Sequence, residues 1–394
     1  MKTLAQCLLS IGAAAALLAG CGASQAGVGT EGSLPPSNSH GQKSSTQSAG
    51  RLTSTVHYLY VTNGNSNNIS AFSINASSGA LTQVQGSPFG AGSGPVGEAV
   101  DPVGAFMYVA NGESDNVSAY VINTKSGALT QVQGSPFAAG GYPWQVAIDP
   151  TGKFAYVANE GYSSSYGNIS AFTINPRSGA LTPVKGSPFA AGSGPAGVAI
   201  DPTGTFAYVS NSYDNNLSGF AINRKSGALT QLKGSPFAAG YQPRKVAIDG
   251  TFVYVTDFDS NNVSAYVIDA KSGALKQVQG SPFSAGTNPL GIAIDPTGAF
   301  VSVTNHGSNN ISVYAVNTSS GALTQVHGSP FKAGRPLPTA VAIDATGEFA
   351  YVADIGCCTG RVSAFAINAS SGVLTKVKGS PFAAGSKPFD VVVR

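Results

Sequence analysis

Charge is what this sequence most lacks. Only 10% of its 394 residues are Asp, Glu, Lys or Arg, and the net charge is +3; an average soluble protein is roughly a quarter charged. The surface must therefore be built from Ser, Thr, Asn and Gln. No run of Lys and Arg occurs, and without a basic stripe to displace counterions a nucleic-acid partner is not expected. Cysteine is scarce too. Cys7 and Cys21 lie near one end, and the adjacent Cys357 and Cys358 near the other. Neither pair has the spacing of a zinc site, so no metal or other cofactor is expected. Helical periodicity is absent throughout. What is abundant is Gly (50) and Pro (23), still below the share that marks low-complexity disorder.

The first 21 residues, MKTLAQCLLSIGAAAALLAGC, read as an export signal: one Lys, an apolar stretch, then small residues. Leu18-Ala19-Gly20-Cys21 resembles the lipobox of bacterial lipoproteins. That resemblance implies cleavage before Cys21 and acylation of it, a stable membrane anchor when several chains are attached. The implied address is the bacterial cell envelope. Gly22, in place of the Asp associated with inner-membrane retention, favours the outer membrane. Residues 22–52 are polar and Gly-rich and are expected to be a flexible linker. The globular part is expected over 53–394.

Within it, Gly-Ser-Pro-Phe recurs seven times, from Gly86, Gly134, Gly186, Gly234, Gly280, Gly328 and Gly379, at spacings of 46 to 52 residues. The intervening order never changes. From Pro143 it reads PWQVAID, PTGKFAYVAN, a polar loop, NISAFTIN, then PRSGALTPVKGSPF. A fixed period of this size marks stacked repeats that share a core. Val146–Ile148 is a short buried strand, and Asp149-Pro150-Thr151-Gly152 a tight turn. Phe154–Ala158 and an alternating Ile169–Ile174 follow. Ala180–Lys185 is polar enough for an outer edge guarded against strand addition. Each unit is thus an antiparallel four-stranded blade, and seven make an all-β propeller. The first unit starts at His57 without an innermost strand, and the chain stops after one, Pro388–Arg394. The C-terminus is therefore expected to complete the N-terminal blade and close the ring.

Tyr60-Val61-Thr62-Asn63 and its counterparts YVAN, YVSN, YVTD and YVAD resemble the repeat of YVTN propellers. The whole of 57–394 is similar to the bacterial lactonase-like seven-bladed superfamily, which includes 6-phosphogluconolactonases. The resemblance implies the fold and a possible lactone-hydrolysing site. The enzymes are marked by a Pro-Arg-His motif with a later His; here the match is Pro243-Arg244-Lys245, with Lys245 where the His belongs. An Asn-Arg-Gly loop appears as Asn305-His306-Gly307, and an Asn-Glu pair survives as Asn159-Glu160.

Variation among units concentrates in the blade connectors and the loops between second and third strands. The residues entering the innermost strands are expected to ring the mouth of the axial channel: Glu98, Trp144, Gln145, Arg244, Lys245 and Asp390. An aromatic with convergent polar groups at a concave mouth is the usual ligand-site pattern. His306 could serve as a base, but its neighbours match the turn chemistry of other units, so an incidental surface histidine is expected. Asp257-Phe258-Asp259-Ser260-Asn261 lacks the Gly and Glu of a calcium loop and reads as turn capping. Cys357 and Cys358 are placed to close a vicinal disulfide in an oxidising compartment. The expectation from these features is a monomeric, lipid-anchored envelope module that binds a ligand or an envelope protein without catalysis. The alternative is a lactonase-like hydrolase in which Glu160, Arg244, Lys245 and His306 converge on an anionic lactone.

Overall fold

The apolar segment after each connector proline pairs with the YVTN-type segment that follows it, forming the two inner strands of a sheet. In the third unit these are Pro143–Ile148 and Phe154–Asn159, and Tyr166–Ile174 and Leu181–Pro183 continue the meander outward. Seven such sheets form a ring in the computed structural model, which describes residues 57–162, 166–356 and 359–394. Every element among them is a strand. Cys21, the 22–52 segment, Cys357 and Cys358 lie outside the described residues.

The second strands of the second to seventh blades are buried at every residue, as in Phe106–Asn111 and Phe206–Asn211, and in the first only His57 is partly exposed. They are central in their sheets and packed on both faces. The core accordingly lies between blades: Phe106, Tyr108 and Ala110 of one unit cluster with Val146, Ala155 and Val157 of the next.

Four strands form the path of each sheet, as expected, but each sheet has a fifth member because the outermost strand comes in two pieces. Leu181–Pro183 pairs with Phe172–Ile174, and Phe189–Ser193 rejoins the same partner strand further along. The Gly-Ser-Pro turn fills the gap. Ser187 Oγ accepts the Ala171 N–H at 2.9 Å, and the equivalent serine does so in every other unit. A hydroxyl thus replaces the backbone acceptor that a buried N–H requires.

Blades are locked in sequence by the glycine of the Ser-Gly turn. Gly179, at φ 75°, lies on the Phe106 ring of the preceding unit, and the Tyr108 hydroxyl donates to its carbonyl at 2.9 Å. The same phenol-to-glycine bond joins Tyr60 to Gly127, Tyr156 to Gly227, Tyr208 to Gly273 and Tyr254 to Gly321. It also closes the ring, from Tyr351 to Gly79 at 3.2 Å. There the C-terminal strand Pro388–Val393 pairs with His57–Asn63, completing the first blade.

Five blades end the second strand in Asn: Asn63, Asn111, Asn159, Asn211 and Asn305. Each donates from Nδ2 to a facing Asn and to a Ser hydroxyl. In the fifth blade Asp257 takes this place, and the facing Asn262 Oδ1 is left without a donor. Burial lifts the Asp257 carboxyl to about 7, against hydrogen bonds from Ser264 and the Gly240 N–H. An unfolded Asp titrates near 3.9. Between those values the folded chain holds a proton that the unfolded chain has lost, so stability falls as pH rises through the window. Asp257→Asn restores the missing donor and is expected to add about 1–3 kcal/mol near pH 8. Thermal unfolding at about pH 5 and 8 should show a smaller pH-dependent loss in the variant. An unchanged or lower midpoint at the higher pH would refute this.

Candidate active site

Two positions of the repeat build a cavity of about 220 Å³ on the loop face. The residue after the connector proline supplies Trp144, Arg244, Leu290, Thr339 and Phe389. The residue after the second strand's terminal Asn or Asp supplies Phe258, His306 and Ile355, and Lys387 completes the lining. Glu160 occupies the same repeat position as Phe258 and His306. Its carboxylate reaches Arg244 Nη1 at 3.8 Å and accepts the Tyr213 hydroxyl at 2.9 Å.

The rim that carries these residues is stiff. Residues just before the connector prolines, among them Tyr142, Gln242, Asn288 and Leu337, hold φ between 48° and 61°. That conformation costs a non-glycine residue about 1 kcal/mol or more. Each is fixed by the preceding blade: Asp115, Asn215, Asn261 and Asn309 accept their N–H groups at 2.8–2.9 Å.

Arg244 lies between two rings, its guanidinium carbon 5.5 Å from the centroids of both Trp144 and Phe258. Its Nη2 donates to Gln242 at 3.0 Å, while Nε and Nη1 are buried without an acceptor. Trp144 meets Phe389 edge to face at 5.2 Å, and Tyr142 and Tyr162 extend the aromatic wall outward at 5.9 and 6.2 Å.

His306 is half-buried in the cavity wall, not an incidental surface residue. Its Nδ1 is 3.2 Å from the Pro338 carbonyl of the next blade. A carbonyl only accepts, so Nδ1 carries the proton and Nε2 keeps its lone pair. Burial lowers the imidazole pKa, opposed by the bond to Pro338. The ring is therefore neutral at pH 7, in the tautomer a general base needs.

Below the mouth, a second cavity of about 180 Å³ is lined by inner-strand residues of all seven blades and is the axial channel. Glu98, Gln145, Lys245 and Asp390 face it. Lys245 crosses the channel, donating to Asp390 Oδ2 at 2.7 Å and to Gln145 Oε1. Glu98 is 4% exposed, and neither carboxyl oxygen has a well-aligned donor. Burial first, then the Asp390 charge, raises its pKa well above the carboxylate range, against Lys245 and Thr62. Both burial and the Asp390 charge favour the neutral form of Glu98.

The expected ring of six therefore divides: Trp144 and Arg244 face the mouth, the other four the channel. Of the four candidate catalytic residues, Arg244 and His306 line one cavity and Glu160 joins through Arg244. Lys245 does not converge with them. It is turned away and neutralised, because successive strand side chains point to opposite sides. Phe258, Leu290, Ile355, Phe389 and Tyr213 belong to the site and were not among the expected residues. No group of His, Cys, Asp and Glu among the described residues is arranged to hold a metal ion.

The family model for Lactonase, 7-bladed beta-propeller, matches residues 30–144, 185–288 and 278–393. The chain belongs to this lactonase family. In fold it is similar to the periplasmic gluconolactonase of Pseudomonas aeruginosa, at 18% identity and a TM-score of 0.74 over 86% of this chain and 99% of that one. It is also similar to candidate 6-phosphogluconolactonases from Bacteroides fragilis (21%, 0.73, 87% and 99%) and Bacteroides uniformis (19%, 0.72, 86% and 100%). No curated protein matches its sequence. Membership of the lactonase family overturns the non-catalytic binding module expected from sequence and favours the hydrolase alternative.

The channel cluster of this lactonase-family propeller is a structural counter-ion set. Lys245→Ala would leave the Asp390 charge beside Glu98 uncompensated, at a cost of about 3 kcal/mol. Adding Asp390→Asn should recover part of that loss. A double-mutant cycle by urea unfolding measures the coupling, and additive losses would contradict the pairing.

Proposed function

We propose that this propeller hydrolyses a small lactone in the mouth cavity. The observation that carries the reading is His306, held by Pro338 with Nε2 free, in the same cavity as Arg244. Family membership supplies the reaction class. His306 Nε2 takes a proton from water, and the water oxygen bonds to the lactone carbonyl carbon. The Arg244 guanidinium, kept in place by two rings, Gln242 and Glu160, and the Lys387 ammonium offset the charge that develops on the carbonyl oxygen. The ring C–O bond then breaks, and the imidazolium returns its proton to the leaving oxygen. The product is a hydroxy acid.

The tetrapeptides from Tyr60-Val61-Thr62-Asn63 onward are read as the YVTN form of the family repeat. The Leu18–Cys21 segment supports a lipid-anchored protein of the bacterial envelope, and Cys21→Ser would move it to the soluble fraction.

His306→Ala and His306→Gln are expected to lower kcat by about 10²–10⁴-fold with little change in KM. In the native protein, kcat/KM should stay level near neutral pH and fall only below the ordinary histidine value of 6.5, because burial lowers this imidazole. Acid release measured across a panel of lactones decides the matter. Wild-type rates in both His306 variants would exclude the mechanism.

A further inference from the structure

We infer that the lactone taken by this site is an apolar one, alkyl- or aryl-substituted, and not a polyhydroxylated or phosphorylated sugar lactone. This rests on the hydrolase reading and adds the substrate class. Trp144, Phe258, Leu290, Ile355 and Phe389 form most of the cavity wall. From Trp144 the aromatic strip continues over Tyr142 to Tyr162, which is 55% exposed at the rim. A flat or alkyl substituent on the lactone ring has that strip to lie on.

Few polar groups reach this wall, and several of those near it are already engaged. Arg244 is covered on both faces by Trp144 and Phe258, bonded through Nη2 to Gln242 and offset by Glu160 at 3.8 Å, so its charge is already partly balanced. Lys245 is neutralised by Asp390 in the channel. The Thr339 hydroxyl is taken up between the Ala353 and Pro388 carbonyls. A sugar lactone would bring several hydroxyls against walls with few free partners, and each one left unpaired costs about tenfold or more. The cavity volume of about 220 Å³ is below the range of about 300–1,000 Å³ for drug-sized ligands. It suits one small ring system with its substituent running out along the strip. The step consumes one water: its oxygen bonds to the carbonyl carbon, the ring C–O bond breaks, and the ring oxygen leaves as a hydroxyl. The new carboxylic acid ionises and releases one proton to solvent.

The test follows that proton with a pH indicator, using the full-length chain and four probes: dihydrocoumarin, δ-decalactone, D-glucono-1,5-lactone and its 6-phosphate. Expected is a kcat/KM at least about 10²-fold higher for the two apolar lactones. Trp144→Ala is expected to lower that preference about tenfold or more. Equal or faster hydrolysis of either sugar lactone overturns the substrate class and leaves the hydrolase reading standing. Hydrolysis of none of the four overturns the hydrolase reading and the substrate class with it.

Discussion

The structure depends on a bond between a phenol and a glycine. A tyrosine hydroxyl of one blade donates to the carbonyl of a Ser-Gly turn in the next, and the glycine, at positive φ, lies against an aromatic ring. At Gly227 an added Cβ would come within 2.4 Å of Phe154, so the contact tolerates no side chain. The constraint explains the monotony of the repeat. Tyr, Phe and Gly recur because six of the seven blades give this lock to the next. Where the sixth blade has Ser302 instead of Tyr, Phe300 still packs on Gly372. The contact at Gly79 joins the last full unit to the first and shares the closure with the C-terminal strand.

A scaffold locked at its periphery leaves its mouth free to vary. Two positions per unit, the residue after the connector proline and the one after the second strand, meet over the channel. Small residues fill them in the second and fourth blades: Val96 and Gly112, Ala196 and Ser212. Large or chemical ones fill them in the third, fifth and sixth. The asymmetry makes one cavity on a pseudo-sevenfold ring. In the channel beneath it, Lys245 bridges Asp390 and Gln145 beside the buried Glu98.

The fold was legible because the repeat states it seven times and the missing first strand of His57–Asn63 reappears at Pro388–Val393. The site was legible in part. Trp144 and Arg244 stood out as departures from the repeat. Phe389 and Leu290 occupy the same repeat position, yet were passed over because apolar residues there look like strand. Phe258 sat unnoticed between Asp257 and Asp259, whose carboxylates drew attention to turn capping. Lys245 was misdirected because it directly follows Arg244: the residue after the connector proline faces the mouth and the next one the channel, as successive strand side chains point to opposite sides. His306 was undervalued because its orienting partner, the Pro338 carbonyl, lies in another blade.

Trp144 is the only tryptophan of the chain, so its emission reports on the cavity and nowhere else. The most direct measurement mixes protein with a lactone and follows tryptophan fluorescence and acid release together. Catalysis at the mouth gives a saturable change in emission, with a half-saturation equal to the KM for acid release. Acid release that saturates while Trp144 emission stays constant would place the chemistry elsewhere and contradict the assignment of the site.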